Sequence, residues 1–192
     1  MKYLSIDTET TFLDIRIAKV VQFGCVIEDT DKDIPLNELP SFEQIIVQPF
    51  EGDTVALQMN KAIFDKMPLQ GVSPAAFIKK FEEFLISNNV IFHDGKYQLS
   101  CAGKNFAAYD MQILNQFPGF ADKFRLRSRV LDPAILFVQK DDAELPSLQE
   151  CLLRGGINKI VAHTAKLDAL DVIALIRKSG VFSRKECNPV TL

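Results

Sequence analysis

The chain has 192 residues, 47% of them hydrophobic and 15 of them Phe, which suffices for one core without disulfides or a structural metal. Its net charge of -3 argues against a protein that coats long nucleic acid through bulk positive charge, although bound metal ions would reverse the sign locally at a small site. No apolar run approaches the roughly 20 residues that span a bilayer, and Asp7 brings a carboxylate too early for a secretory leader. One cytoplasmic domain over residues 1–192, with no membrane partner and a short tail at 181–192, is therefore expected. Cys25, Cys101, Cys151 and Cys187 lie far apart and form no C-x-x-C pair. They read as free, mostly buried thiols, with paired disulfides as the alternative.

Residues 2–8 alternate and are rich in strand formers, predicting a first strand. Lys19 to Glu28 predicts a second, largely buried strand, and Phe42 to Gln48 a third. Three strands joined by short links predict an antiparallel meander. Ser73-Pro74 marks a helix start, with Ser as cap and Pro in the first turn. Phe77, Phe81, Phe84 and Leu85 share one face of that helix. Asp94-Gly95 is a turn signal between Val90–His93 and Tyr97–Cys101. A helix is expected from Phe106 to Phe117, ended by Pro118-Gly119, then a short strand over Arg127–Leu131. Pro146-Ser147 opens another helix, closed by Gly155-Gly156. The last runs from Ala165 to Ser179, stopped by Gly180. Strands first, then strand–helix alternation, imply an α/β fold: a mixed sheet flanked by helices.

Four carboxylates fall in apolar surroundings. Asp7 and Glu9 are two apart on the first strand, so both project from one face together with Ser5. At roughly 4 Å two such charges repel by about 4 kcal/mol at an effective dielectric near 20. A strand end dipping into solvent would explain the pair equally well, and D-x-E alone is common. Asp110 sits four residues after Phe106 and three before Ile113, on the apolar stripe of its expected helix; an arginine or a backbone cap is the alternative partner. Asp168 lies in the first turn of the last helix, where a carboxylate also simply complements the helix dipole. His163 comes five residues earlier. With only two histidines, a His-rich zinc site is unavailable. Buried anions repel one another and resist losing water. Divalent metal relieves both, which points to metal-dependent chemistry on phosphate esters.

The segments Ile6-Asp7-Thr8-Glu9-Thr10-Thr11, Gly103-Lys104-Asn105-Phe106-Ala107-Ala108-Tyr109-Asp110 and His163-Thr164-Ala165-Lys166-Leu167-Asp168-Ala169 together resemble the three motifs of the DEDDh 3′–5′ exonucleases, which have a ribonuclease H-like fold. The resemblance extends from about Met1 to Lys178, with Gln22-Phe23-Gly24, Leu131-Asp132 and Ser147-Leu148 as secondary matches. It implies a five-stranded mixed sheet (strands 1–3 antiparallel, then parallel strands). Asp7, Glu9, Asp110 and Asp168 would hold two Mg²⁺ or Mn²⁺ ions, and His163 would act as general base. The reaction implied is two-metal-ion hydrolysis at the 3′ end of single-stranded DNA or RNA, releasing nucleoside 5′-monophosphates. Histidine titrates near neutrality, which suits a base. Thr10, Thr11, Phe12, Asn105 and Phe106 would contact the terminal nucleotide. Phe12 stands where relatives commonly have Gly; it either stacks on the last base or is a core residue. Asn60-Lys61-Ala62-Ile63 stands near where many relatives carry His-Gly-Ile.

Lys123, Arg125, Arg127 and Arg129 alternate with Phe124, Leu126, Ser128 and Val130, making one edge positive; it either guides phosphate backbone or is a solvated strand face. Some relatives are homodimers, so a homodimer is expected, with a polymerase or repair assembly as the alternative partner. The rival to an enzyme is a non-catalytic nucleic-acid- or protein-binding module of the same fold, which predicts at least one lost ligand. None of the five positions is missing. No G-x-S-x-G, G-x-x-x-x-G-K-[ST] or H-E-x-x-H occurs.

Overall fold

The computed structural model describes residues 1–182. Strands β1 (Lys2–Thr10), β2 (Val20–Asp29) and β3 (Ser41–Ile45) come first, followed by helices α1 (Thr54–Met59), α2 (Lys61–Gln70) and α3 (Pro74–Ser87). The hairpin of β4 (Phe92–His93) and β5 (Lys96–Leu99) leads into β6 (Cys101–Ala102) and α4 (Asp110–Gln116). Then follow α5 (Phe120–Lys123), β7 (Phe124–Leu126), α6 (Pro133–Phe137), α7 (Leu148–Arg154) and α8 (Ala165–Ser179).

The expected meander forms. β1 pairs antiparallel with β2, and β2 with β3. β6 adds in parallel on the other side of β1, giving the order β3-β2-β1-β6. The even residues Leu4 and Ile6 face the larger core, where Phe23, Phe77, Phe81 and Phe120 pack together. The odd residue Tyr3 faces a second core with Val172, Ile173 and Ile176 of α8. The two-residue period of a strand therefore puts Asp7 and Glu9 on the α8 side. α3 seals the opposite face. Ser73 Oγ accepts from Ala76 N at 3.3 Å as its cap, and Phe77, Phe81 and Leu85 are fully buried. Asp94 and Gly95 both take positive φ (51° and 74°), as a two-residue type I′ hairpin turn requires.

The five-stranded sheet is not what forms. Among the described residues there are two sheets, one of four strands and one of three in the order β4-β5-β7. A single extended path causes this division. Before Ser100 it pairs with β7, and after Ser100 it pairs with β1. The strand expected at Arg127–Leu131 forms earlier, as β7, and the path rejoins the larger sheet only through one bridge between Ala102 and Leu131. β3 also stops at Ile45, short of Gln48. The helix expected from Phe106 begins at Asp110. Asn105 takes a left-handed conformation (φ 57°), and Met111 N reaches back to Phe106 O across five residues, so residues 104–109 are turns. α1 and α2 were not anticipated: Asp53 Oδ1 caps α1 by accepting from Ala56 N at 2.8 Å, but few of the residues after it are buried. Cys25, Cys101 and Cys151 are free and buried. Cys187 and the tail beyond Phe182 lie outside the described residues. No described helix is long and apolar enough to cross a membrane.

Candidate functional site

β1 outruns its neighbour β6, and this sets the position of Asp110. Leu4 N–H donates to Ser100 O at 2.8 Å, so the even N–H groups of β1 point toward β6. By Thr8 that strand has ended. Asp110 Oδ1 supplies the missing acceptor, receiving Thr8 N at 3.0 Å and Thr8 Oγ1 at 2.6 Å. Asp110 is buried at the first position of α4, where the helix dipole favours an anion. The carboxylate is thus fixed beside Asp7 by backbone left unpaired at the sheet edge. Just upstream, Asp132 holds the turn: its Oδ2 accepts from Asn105 N and its Oδ1 from Ala134 N, each at 2.8 Å.

Asp168 arrives from the other face on α8. That helix starts against β2, with Ala165 N donating to Gln22 Oε1 at 3.2 Å. Gly24 permits the approach, because a Cβ there would lie 2.2 Å from Lys166 N and 2.3 Å from Ala165 C. Gly24 pairs with Asp7, and Gln22 with Glu9. The first turn of α8 therefore lands beside the two acidic residues of β1. One carboxylate oxygen from each of Asp7, Glu9 and Asp168 lies within 4.8 Å of the others.

This crowding is electrostatically costly. Burial first, then Asp110, Glu9 and Asp168, push the Asp7 carboxyl well above its ordinary range. Burial, then Asp168 and Asp110, raise Glu9 to about 7. Burial raises Asp110 to about 6 despite the opposing Thr8 hydrogen bonds. Asp168 also rises to about 6 through burial, with His163 acting the other way. Asp168 Oδ1 is buried with no hydrogen-bond partner among the described residues. A buried carboxylate with an unpaired oxygen, crowded by two further carboxylates, fits hard divalent cations, which take oxygen ligands. Protons bound by the folded cluster are released on unfolding, where carboxylates titrate near 4. Without metal, stability should therefore fall as pH rises from about 4 through 7. In EDTA the melting temperature is expected to drop between pH 5 and pH 8, and Mn²⁺ should raise it more at pH 8 than at pH 5. A melting temperature that rises with pH in EDTA would contradict this electrostatic picture.

His163 is exposed, with a left-handed backbone (φ 51°), on the loop before α8. Its charge pulls the Asp168 carboxyl down against the rise that burial causes. The loop is tied down from both sides, by residues that sequence reading missed. Gln149 of α7 donates to Lys159 O at 2.9 Å and accepts from Val161 N at 3.0 Å. Lys159 Nζ reaches Asp171 Oδ1 of α8 at 2.7 Å. A buried Asp one helical turn after Asp168 was the available signal.

The residues expected to touch a nucleotide divide into two groups. Phe106 has no exposed surface and packs in the main core, and Thr11 is fully buried, its Oγ1 accepting from Lys19 N at 3.1 Å. Neither offers a face to a ligand. Asn105 is exposed on its turn. Thr10 and the half-buried Phe12 line a pocket of about 180 Å³ next to Glu9, together with Leu13, Met59, Asn60 and Tyr109. Sequence reading quoted Tyr109 and Asn60 within their segments but gave neither a place at the site. Tyr109 OH is bonded to Thr10 Oγ1 at 2.6 Å and donates to Phe12 O, while Asn60 Nδ2 donates to Thr10 O at 2.9 Å. Asn60 Oδ1 is buried and unpartnered among the described residues.

No family model and no curated relative matches this chain. Solved structures do. E. coli exonuclease I in complex with a dT13 oligonucleotide superposes with a TM-score of 0.66 at 15% identity, over 94% of this chain and 41% of that one. Exonuclease I from Methylocaldum szegediense gives 0.64 at 17%, over 93% and 40%. Cell-death related nuclease 4 gives 0.64 at 16%, over 94% and 63%. The chain thus spans about two fifths of the exonuclease I proteins. What it shares with exonuclease I and cell-death related nuclease 4, along nearly its whole length, is their fold.

Proposed function

We propose that this chain is a metal-dependent 3′–5′ exonuclease that removes nucleoside 5′-monophosphates from single-stranded DNA or RNA. The observation that carries this reading is the convergence of one carboxylate oxygen from each of Asp7, Glu9 and Asp168, from the two ends of the chain, to within 4.8 Å of one another, with Asp168 Oδ1 buried and unpartnered among the described residues. Exonuclease I, a structural neighbour solved with single-stranded oligonucleotides, agrees with it. Asp7, Glu9 and Asp168, with Asp110 behind them, would hold two Mg²⁺ or Mn²⁺ ions. Bound there, divalent cations supply Lewis-acid polarisation of the phosphodiester and offset the carboxylates' charge.

The chain's own residues do the rest. His163 accepts the proton of the attacking water, and its exposure lets that proton pass to solvent. The water oxygen bonds to phosphorus as the bond to the penultimate 3′-oxygen breaks. Phe12, Leu13 and Met59 give the pocket beside Glu9 an apolar wall for the terminal base, and the hydrogen bonds of Tyr109 and Asn60 fix that wall.

The decisive assay uses 5′-labelled and 3′-labelled single strands with Mg²⁺, Mn²⁺ or EDTA. A ladder shortening from the 3′ end, mononucleotide release and abolition by EDTA are expected. Absence of cleavage with either metal, or shortening from the 5′ end, would refute the assignment. His163→Ala should slow turnover by about 10²–10⁴-fold while leaving Mn²⁺-induced thermal stabilisation in place. An unchanged rate near pH 7 would mean another base acts.

A further inference from the structure

Three arginines of the basic run gather in one concavity that holds none of the four carboxylates. Arg125, Arg127 and Arg129 are exposed and line one concavity of about 590 Å³ with Ser100 and Ser128. Lys123, the fourth member of the basic run, is paired with Glu82 at 3.1 Å. None of the three arginines has a carboxylate partner among the described residues, although the chain carries 25 acidic residues against 22 basic. Three unneutralised guanidiniums in one hollow repel one another unless an anion enters.

We propose that this concavity binds the phosphates of a nucleic-acid strand upstream of the end being cleaved. Guanidinium forks and serine hydroxyls are donors that match phosphodiester oxygens. Met1 is the sole apolar residue on the lining, which gives a lipid chain or an amphipathic protein segment nothing to bury against. Three guanidiniums lining one concavity, Arg125 on β7 and Arg127 and Arg129 just after it, suit a ligand with repeating charges better than a single phosphate. Met1 borders the concavity at the start of β1, six residues before Asp7. At about 3.3 Å per residue, the Met1 border of the concavity stands roughly 20 Å from Asp7 along β1. Roughly six nucleotides bridge that distance even at the 3.4 Å spacing of a duplex strand. The ligand class rests on the exonuclease reading, but the site itself rests only on the arginines.

The test compares the wild type with Arg125→Gln/Arg127→Gln. Both side chains are exposed and unpaired, so the variant should melt like the wild type, which verifies its fold. Binding of labelled (dT)20 is measured in EDTA across a salt series, and turnover of (dT)20 and (dT)3 is measured with Mn²⁺. Loss of two phosphate contacts should lower the log–log salt slope by about 1.4 and weaken (dT)20 binding on the order of tenfold at low salt. KM for (dT)20 should rise, whereas turnover of (dT)3, too short to span both sites, should be unchanged. Identical affinity and salt slope in the two proteins would overturn the proposal, as would arginine-dependent binding to phosphatidylserine vesicles but not to (dT)20. If the wild type cleaves nothing yet binds (dT)20 through these arginines, the exonuclease reading falls and the strand-binding site stands.

Discussion

Asp7→Asn is expected to reduce cleavage by roughly three orders of magnitude or more while making the metal-free protein more stable at pH 8. The two effects share one cause. Asp7 is held against Asp110, Glu9 and Asp168, each of which raises its pKa in addition to burial. Replacing it with a neutral side chain of the same shape removes repulsion that the folded state tolerates only when cations are present. A gain of about 1 kcal/mol would raise the melting temperature by about 2–4 °C in a chain of this size. The same change removes one of the three oxygens that converge within 4.8 Å. Mn²⁺ should therefore stabilise the variant less than the wild type. Melting in EDTA and in Mn²⁺, beside the end-labelled digestion, checks both parts. Wild-type digestion would exclude Asp7 as a ligand, and a lower melting temperature in EDTA would show that charge crowding does not govern the stability of the metal-free protein.

Gly24→Ala, a single methyl group, should damage both fold and site. Its Cβ would meet the backbone of Lys166 and Ala165 at 2.2 and 2.3 Å, and backbone cannot rotate away as a flexible side chain can. α8 would have to lift off β2, breaking the hydrogen bond from Ala165 N to Gln22. Overpacking of this kind costs about 1–3 kcal/mol. Asp168 moves with the helix, so the stabilisation that Mn²⁺ confers should largely vanish. Calorimetry with and without Mn²⁺ measures both quantities. A variant that melts like the wild type and keeps the full Mn²⁺ response would show that α8 does not depend on this close approach.

Much of this site was legible before folding. The alternation of residues 2–8 put Asp7 and Glu9 on one strand face, and Ser73-Pro74, Pro146-Ser147 and Gly180 marked helix ends that the structure keeps. Such signals are local, written by backbone geometry and nearest neighbours. The reading of Asp110 as a buried carboxylate holds, but the local picture behind it does not. The helix stripe invoked for it does not exist before residue 110, and Asp110 is held instead by Thr8, 102 positions away. Phe106, expected at a nucleotide, went to the core because the turn at Asn105 directs it inward. The single five-stranded sheet implied by the resemblance does not form, and alternation could not have corrected it, because it reports strands and not which edge each pairs with on either side of Ser100.

The amino-acid sequence alone determined which side chains are candidates for the chemistry, which elements most of them ride on and which face of β1 bears the acids. Those properties follow from residue type and from spacings of two to four, which need no distant partner. Tertiary structure decided that Asp110 replaces a missing strand, that Gly24 admits α8, that Gln149 and Asp171 brace the His163 loop and that three arginines meet Ser100 in one hollow with no carboxylate partner among the described residues. Each of these joins groups far apart along the chain, and only the packing of the whole brings them within hydrogen-bond or Coulombic range.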